Sequence, residues 1–280
     1  MLKIAPQSRV AFQGEPGAFS QIAVRQLLGE EVRTVACPTF ESLFAAIDEG
    51  RAECILAPLE NTLAGPVLRC YDLLYQSSLQ MTGEVVLRIG HCVIGCPGAS
   101  LGGLRRVQSH PVALAQCERF FATHPGIEKA VAEDTAGSVR EIMQRGDRAI
   151  GAIASEYAAH EYGATILASA VEDDPNNFTR FALLQPPSEA AIPQDANACT
   201  LVVTVANQPG ALFRALEPFA LNDCDLMSLV SRPLVGTPWH YRFFFEVAAA
   251  ATEPRMKAAL AALEPRTVEL RVLGSYRSGK

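Results

Sequence analysis

The sequence has no excess of positive charge. Lys and Arg together number 24 against 30 Asp and Glu, which gives the 280-residue chain a formal net charge of −6. A mildly acidic chain has no overall field that would attract nucleic acid or an anionic membrane surface. We therefore expect neither as a partner, although a local basic pocket could still hold a small anion.

Long apolar runs and a secretion signal are also missing. Residues 198–205 form one of the most apolar stretches, which is far shorter than the about 20 residues that a membrane-spanning helix needs. Residues 1–9 contain no apolar segment of the kind that secretory signals carry. These features predict a cytoplasmic protein without a membrane span.

Motifs for metals and cofactors are absent as well, and no Cys–His nucleophile pair is indicated. The eight cysteines include no Cys-x-x-Cys pair, and no histidine follows them at zinc-finger spacing. His110 and Cys117 are about two helical turns apart, which is too far for a direct nucleophile–base hydrogen bond. The sequence has no Walker, HExxH or GxGxxG pattern. We expect reduced core thiols, no metal and no cofactor.

Hydrophobic residues make up 49% of the sequence, which is enough for a sizeable core. Over the first two-thirds of the chain, short apolar runs alternate with helix-like segments, a pattern that predicts mainly parallel sheets with helices on both faces. The extended stretch 79–95 leads into a second α/β unit, where residues 111–121 are predicted to form one helix. The expected fold of residues 1–184 is a two-lobed α/β domain, like a periplasmic binding protein, with a cleft between its lobes.

A change of pattern divides the rest of the chain. Residues 185–197 contain three prolines among Ala, Ser and Gln, which indicates a linker. Residues 198–280 follow with the order β-α-β-β-α-β. This order predicts a ferredoxin-like α+β module, whose helices cover one face of a four-stranded sheet.

Four polar clusters follow apolar strands, at the position where open α/β sheets bind ligands. Two of them stand at the start of predicted helices, where Ser109 and Asp134 are expected to cap the helix N-terminus. Capping is compatible with anion binding, because helix N-termini also bind anions. The last cluster is harder to explain by capping, because two asparagines, a threonine and an arginine enter an otherwise apolar strand. The clusters lie at residues 60–65, 109–111, 134–138 and 176–181.

In their order along the chain, these segments resemble the motifs of prephenate dehydratase over residues 9–276. The resemblance implies a cofactor-independent carbon–oxygen lyase that converts prephenate to phenylpyruvate in phenylalanine biosynthesis. Val112 departs from the glutamine that often follows the Ser-His-Pro motif. The matching segments are GEPGAFS at 14–20, PLENT at 58–62, SHP and QC within 109–117, DTA at 134–136 and NFTRF at 177–181.

The resemblance assigns the catalytic role to Thr179, whose hydroxyl would donate a hydrogen bond to the departing hydroxide. Asn61 and Gln116 are expected to assist catalysis as neutral donors. Arg180 is expected to pair with the pyruvyl carboxylate of the substrate. The other expected substrate-binding residues are Glu60, Thr62, Ser109, His110, Thr135, Asn177 and Phe181.

The C-terminal module resembles an ACT regulatory domain, which implies allosteric control by phenylalanine bound between the modules of paired subunits, in a homodimer or homotetramer. Its Gly-Ala-Leu turn lies at 210–212. Val230 stands where the family's Glu-Ser-Arg-Pro motif has glutamate, so the choice of effector stays open. The expected effector residues are Asn207, Gly210, Ala211, Leu212, Ser231 and Arg232.

Two alternatives remain open at this point. Arogenate dehydratase carries out the same chemistry on the transaminated substrate and needs a partner for an ammonium group. Two lobes with a cleft between them are also the architecture expected of a non-catalytic amino-acid sensor or a solute-binding protein. The absence of a signal peptide argues against a periplasmic binder, and the intact segment 177–181 argues against an inactive sensor.

Overall fold

The structure is a computed structural model that describes residues 4, 5 and 7–279. Residues 1 and 280, where the predicted first domain begins and the predicted last domain ends, lie outside the described residues. The described chain forms two α/β lobes followed by a β-α-β-β-α-β unit, which confirms the predicted fold class.

The first lobe begins with alternating strands and helices, as the sequence pattern predicts. Strands β1, β2 and β3 pair in parallel. The capping box at Thr39 and Ser42 begins the second helix. The elements are β1 (Arg9–Gln13), α1 (Phe19–Leu28), β2 (Arg33–Cys37), α2 (Phe40–Asp48), β3 (Cys54–Asn61), β4 (Gly65–Pro66), α3 (Leu68–Gln76) and β5 (Gln80–Arg88).

The second lobe has its own five-stranded sheet. Its elements are β6 (Cys92–Gly95), β7 (Arg106–Ser109), α4 (Pro111–Ala115), α5 (Glu118–Thr123), β8 (Glu128–Val131), α6 (Thr135–Arg145), β9 (Ile150–Ala154), α7 (Glu156–Tyr162) and β10 (Thr165–Ala168). The strand order is β10-β6-β9-β7-β8, in which β7 runs parallel to β8 and β9 while β6 is antiparallel to β9 and β10.

The predicted single helix over residues 111–121 is wrong, because the chain forms two short helices there. The backbone N–H groups of Glu118 and Arg119 donate to the Asp173 carboxylate, which caps a new helix start. Gln116 and Cys117 lie at the break between the two helices. The interruption frees the Gln116 side chain to face the space between the lobes.

Strand β11 (Phe178–Gln185) returns the chain to the first lobe and pairs antiparallel with both β3 and β5. The order of the strands in this sheet is β2-β1-β3-β11-β5. The prediction of a mainly parallel sheet is therefore wrong for the part of the first lobe that contains β11 and β5. Alternate side chains of β11 enter different cores. Phe181 and Leu183 pack with helix α1 and the second lobe, whereas Ala182 and Leu184 pack towards the C-terminal unit.

The C-terminal unit is an antiparallel sheet of order β13-β14-β12-β15 with two helices on one face. Its elements are β12 (Ala198–Thr204), α8 (Ala211–Leu221), β13 (Leu226–Pro233), β14 (Tyr241–Val247), α9 (Pro254–Leu263) and β15 (Glu269–Tyr276). The opposite face packs against the first lobe, where Val202, Phe244 and Tyr276 join the core of Tyr71 and Leu184. None of the helices in the described residues is long and apolar enough to cross a membrane.

Gly274 sets the distance between the C-terminal unit and the first lobe. A Cβ atom at this position would lie 2.0 Å from the carbonyl oxygen of Met81 on β5. No side chain fits into that space, so only glycine allows β15 to cross β5 so closely.

We therefore expect Gly274→Ala to destabilise the protein, because overpacking of this kind costs about 1–3 kcal/mol. Urea denaturation will measure the change in the free energy of unfolding. Gly126→Ala is the control, since a Cβ there has no neighbour within 4 Å. Equal unfolding midpoints for the two variants would contradict the role given to Gly274.

Candidate active site

A cavity with a volume of about 450 Å³ lies between the two lobes. The first lobe contributes the end of β3, the start of α1 and strand β11. The second lobe contributes the starts of α4 and α6. The polar side chains that line this cleft are Gln13, Ser20, Asn61, His91, His110, Gln116, Glu133, Asp134, Thr135 and Thr179.

Thr179 faces the cleft from strand β11 and is held by an amide. The Asn61 Nδ2 atom lies 3.0 Å from the Thr179 Oγ1 atom and donates to it. The Asn61 Oδ1 atom accepts from the backbone N–H groups of Leu63 and Ala64, at 3.0 and 2.8 Å, which fixes the orientation of the amide. Because the threonine oxygen accepts this bond, its own proton is available for a group in the cleft.

A chain of neutral side chains continues from Asn61 into the second lobe. Asn61 Nδ2 also donates to the Asn177 Oδ1 atom at 2.7 Å, and Asn177 Nδ2 donates to the Gln116 Oε1 atom at 2.9 Å. The His91 Nε2 atom lies 3.0 Å from the same Gln116 oxygen. Two contacts thus occupy the carbonyl end of Gln116, so its NH₂ group is the end available to a ligand.

His91 lies in the connection between β5 and β6 and has a side chain that is only 2% exposed. Burial lowers the pKa of its imidazole, which outweighs the opposite effects of Gln116 and Glu172. The ring is therefore neutral at pH 7 and donates from Nε2 to Gln116. The sequence does not mark His91 as functional, because it is a single histidine within the extended stretch 79–95.

The expectation that Arg180 binds a substrate carboxylate is wrong. Neighbouring residues of a strand point to opposite faces of the sheet. Because Thr179 faces the cleft, Arg180 faces away from it. The Arg180 side chain is 3% exposed and lies on the far face, where its Nη1 atom is 2.9 Å from the Glu84 Oε2 atom. Its Nη2 atom pairs with Glu246 of the C-terminal unit and donates to the Tyr71 hydroxyl.

Glu60 and Thr62 also lie away from the cleft, contrary to expectation. The register between β3 and β11 shifts so that Arg180 pairs with Glu60 while Phe181 pairs with Pro58. This bulge turns Glu60 towards Arg180, with 3.5 Å between carboxylate and guanidinium. The Thr62 hydroxyl donates to the Asn176 carbonyl oxygen and accepts from the Phe178 N–H, so it joins two loops.

Ser109 and Asn177 are fully buried and do not line the cleft. The Ser109 hydroxyl donates to the Ile153 carbonyl oxygen at 2.6 Å, which replaces its expected contact with substrate. The cap of α4 is His110, whose Nδ1 atom accepts from the Val112 N–H. His110 itself lines the cleft, together with Phe181 and with Thr135 at the start of α6.

The charges around the cleft are unusual for a site that binds anions. None of the described residues that line it is lysine or arginine, while Glu133 and Asp134 are among them. Asp134 caps α6 through the Gly137 N–H. Burial raises the pKa of the Asp134 carboxyl, although the Gly137 bond opposes the shift.

The cysteines are poor candidates for nucleophiles. All eight are free and buried. Burial raises the pKa of the Cys117 thiol to about 12, so almost none of it is thiolate near neutral pH.

The expected effector residues lie in the C-terminal unit, at the start of α8 and on β13. Gly210 has a φ of +76° directly before α8, a conformation that favours glycine. Arg232 is already engaged, because its Nε and Nη2 atoms donate to the Asp72 carboxylate on α3, at 2.7 and 2.6 Å. This bidentate pair joins β13 to the first lobe.

Two family models match the chain. The model described as prephenate dehydratase covers residues 10–189. The model described as ACT domain covers residues 200–265.

Similar proteins of known name cover almost the whole chain. Arogenate dehydratase/prephenate dehydratase 2 of Arabidopsis thaliana is 37% identical over 279 residues, which are 96% of this chain and 72% of that protein. A bifunctional N-acyl-homoserine lactone acylase/prephenate dehydratase of Komagataeibacter europaeus is 37% identical over 95% of both chains. The crystal structure of prephenate dehydratase from Arthrobacter aurescens in complex with L-Phe has a TM-score of 0.89 and 29% identity, with 97% of this chain and 90% of that chain covered.

Because His91 is buried in its neutral form, we expect the stability of the protein to depend on pH. Because burial lowers the pKa of His91 in the folded protein, the unfolded chain takes up a proton there at a higher pH, so stability falls as the pH falls through about 6.5. Between pH 7.5 and 5.5, the free energy of unfolding should decrease by up to about 1.4 kcal/mol more in the wild type than in His91→Asn. Urea denaturation at both pH values measures this difference. The same replacement at the exposed His160 is the control and should keep the wild-type slope.

Proposed function

The chain belongs to the prephenate dehydratase family, and we propose that its cleft converts prephenate to phenylpyruvate with Thr179 as the catalytic hydroxyl. In this reaction the bond from ring carbon C1 to the carboxylate breaks, and carbon dioxide leaves. The electron pair moves into the ring while the C4–O bond breaks and hydroxide departs. Aromatisation drives both cleavages, so the enzyme has to orient the dianion and assist the leaving oxygen.

The observation that carries the proposal is the bond from Asn61 Nδ2 to Thr179 Oγ1, at 3.0 Å in the wall of the cleft. It occupies a lone pair of the threonine oxygen and directs the hydroxyl proton elsewhere. A hydroxyl does not ionise near pH 7, but it donates a hydrogen bond that strengthens as negative charge develops on the departing oxygen. Stabilisation of this kind acts mainly in the transition state and therefore raises kcat.

Gln116 supports the same reaction as a second neutral donor. Its NH₂ group is directed to the cleft because His91 and Asn177 occupy its oxygen. A neutral donor orients the C1 carboxylate without strongly stabilising a charge that has to disappear. The aromatic rings of Phe19, Phe40 and Phe181 in the same cleft also disfavour a carboxylate, which promotes its loss as carbon dioxide.

Arogenate is the second candidate substrate. It carries an ammonium group where prephenate has a keto oxygen, and Glu133 and Asp134 line the cleft. A relative that is 37% identical is named arogenate dehydratase/prephenate dehydratase. Both substrates lose the same groups, so Thr179 has the same task with either.

We further propose that the ACT domain binds phenylalanine and controls the catalytic domain in a homodimer or homotetramer. Support comes from a prephenate dehydratase of similar structure, described in complex with L-Phe. The expected effector residues lie in the β12–α8 loop, at the start of α8 and on β13, where the Arg232–Asp72 pair connects the effector segment to the first lobe. The eight free, buried cysteines fit a reducing compartment such as the cytoplasm.

The first experiment compares Thr179→Ala with Thr179→Ser. Loss of one donor of this type lowers kcat by about 10²–10³-fold, so we expect that loss in the alanine variant. The serine variant keeps a hydroxyl and should recover most of the activity. Phenylpyruvate formed from prephenate is measured by its enol absorbance in alkali. An alanine variant with wild-type kcat would refute the role of Thr179.

A second experiment tests the two substrates. If Glu133 attracts the ammonium group, Glu133→Gln lowers kcat/KM for arogenate by about two- to fivefold, the size expected for an exposed ion pair. The same change should leave kcat/KM for prephenate undiminished. Glu161→Gln is the control, since Glu161 is exposed on α7 and does not line the cleft. An equal effect on both substrates would exclude an ammonium contact at Glu133.

A further inference from the structure

Arg180 lies next to Thr179 in the chain but on the opposite face of the sheet. Thr179 faces the cleft, and the Arg180 guanidinium is buried between the first lobe and the ACT domain. The two residues share one peptide unit near the start of β11, which pairs with β3 on one side and with β5 on the other. A shift of the Arg180 backbone therefore moves Thr179 as well.

The guanidinium is held from several directions. Its contacts come from Glu60 on β3, Glu84 on β5, Tyr71 on α3 and Glu246 on β14. The pairs with Glu84 and Glu246 are almost fully buried, with side-chain exposures of 2% and 1%. A buried cation of this kind cannot leave its carboxylates without a large desolvation cost, so its position is tightly fixed.

The anchor includes parts of the chain that belong to the ACT domain. Glu246 lies on β14, a central strand of that domain's sheet, and the Tyr71 hydroxyl donates to it as well. The Glu84 Oε1 atom accepts from the Ser278 hydroxyl and the Gly279 N–H, at 3.0 and 2.9 Å, close to the end of the chain. The catalytic strand is therefore tied to the ACT domain directly behind Thr179.

We propose that Arg180 is a positioning residue for Thr179 and that Glu246 makes the ACT domain part of its anchor. The inference rests on the proposed function, because it concerns the same hydroxyl. The arginine does not touch substrate. It holds strand β11 at the place where the Thr179 hydroxyl meets both Asn61 and the departing oxygen. A displacement of a catalytic group by about 1 Å can cost about 10²-fold in rate.

The test uses Arg180→Lys in the full-length protein. Lysine keeps the charge near the carboxylates but loses the planar fork that contacts several of them at once. We expect kcat to fall by about ten- to hundredfold, while KM changes by less than about twofold. The control is Arg271→Lys, an arginine of the ACT domain that donates to the Tyr75 and Ser77 carbonyl oxygens. This variant should keep the wild-type kcat.

A double-mutant cycle distinguishes positioning from general damage. If Arg180 acts through the Thr179 hydroxyl, Arg180→Lys causes no further loss of kcat in the Thr179→Ala background. A loss that persists in that background would overturn the proposal. A raised KM with unchanged kcat would overturn it too, because that result indicates a direct contact with substrate.

Glu246→Gln tests the contribution of the ACT domain and serves as the second variant if Arg180→Lys does not fold. Loss of the charged partner should lower kcat by about fivefold, equivalent to about one net hydrogen bond. Glu269→Gln is the matched control, since Glu269 joins β15 to the Tyr75 hydroxyl without touching Arg180. If Glu246→Gln keeps the wild-type kcat, the ACT domain does not contribute to the positioning of Thr179.

The wild-type assay separates this inference from the proposed function. If the folded wild type converts neither prephenate nor arogenate, the proposed function fails and the inference fails with it. If the wild type is active and Thr179→Ala is not, the proposed function holds, and the variants of Arg180 and Glu246 decide the inference alone.

Discussion

A buried positive charge on strand β11 constrains much of this structure. The Arg180 guanidinium lies where the first lobe meets the ACT domain, and it needs carboxylates from both sides to offset its loss of hydration. Glu84 and Glu246 supply them from two different sheets. The position of the ACT domain against the first lobe therefore has an electrostatic component in addition to the apolar contacts around Tyr276. Because β11 is also the strand that carries Thr179, the same charge contributes to the shape of the cleft on the other face.

The two faces of β11 differ sharply in character. One holds a compact group of full charges, and the other holds a chain of uncharged amides, a hydroxyl and a neutral imidazole. An array of fixed dipoles can respond to charge that moves during a reaction without a tight ion pair to break. Each member of the array is oriented by a neighbour, as Asn61 is by two backbone N–H groups. The site thereby obtains a defined geometry from bonds that exist before any ligand enters.

The sequence predicts the order of elements, the two lobes and the ferredoxin-like unit, because each depends on local periodicity and turn residues. It also selects Thr179, Asn61 and Gln116, which the structure brings to one cleft. It does not reveal His91, whose contact with Gln116 exists only because two distant segments meet between the lobes. The orientation of Arg180 could have been deduced from strand alternation. The reversal of β11 against its neighbours could not, since it depends on where the chain re-enters the first sheet.

The chain crosses between the lobes twice, once after β5 and once before β11, and these two crossings are bonded to each other. The His91 N–H donates to the Glu172 carboxylate, the Val171 N–H to the His91 carbonyl oxygen, and the Ile89 N–H to the Asn177 carbonyl oxygen. Hinges between domains lie in connecting segments of this kind, and here the two segments are bonded side by side. Asn177 and His91 are part of this hinge and also of the polar chain behind Thr179. A change in the angle between the lobes would therefore also shift the side chains that orient the Asn177 and Gln116 amides.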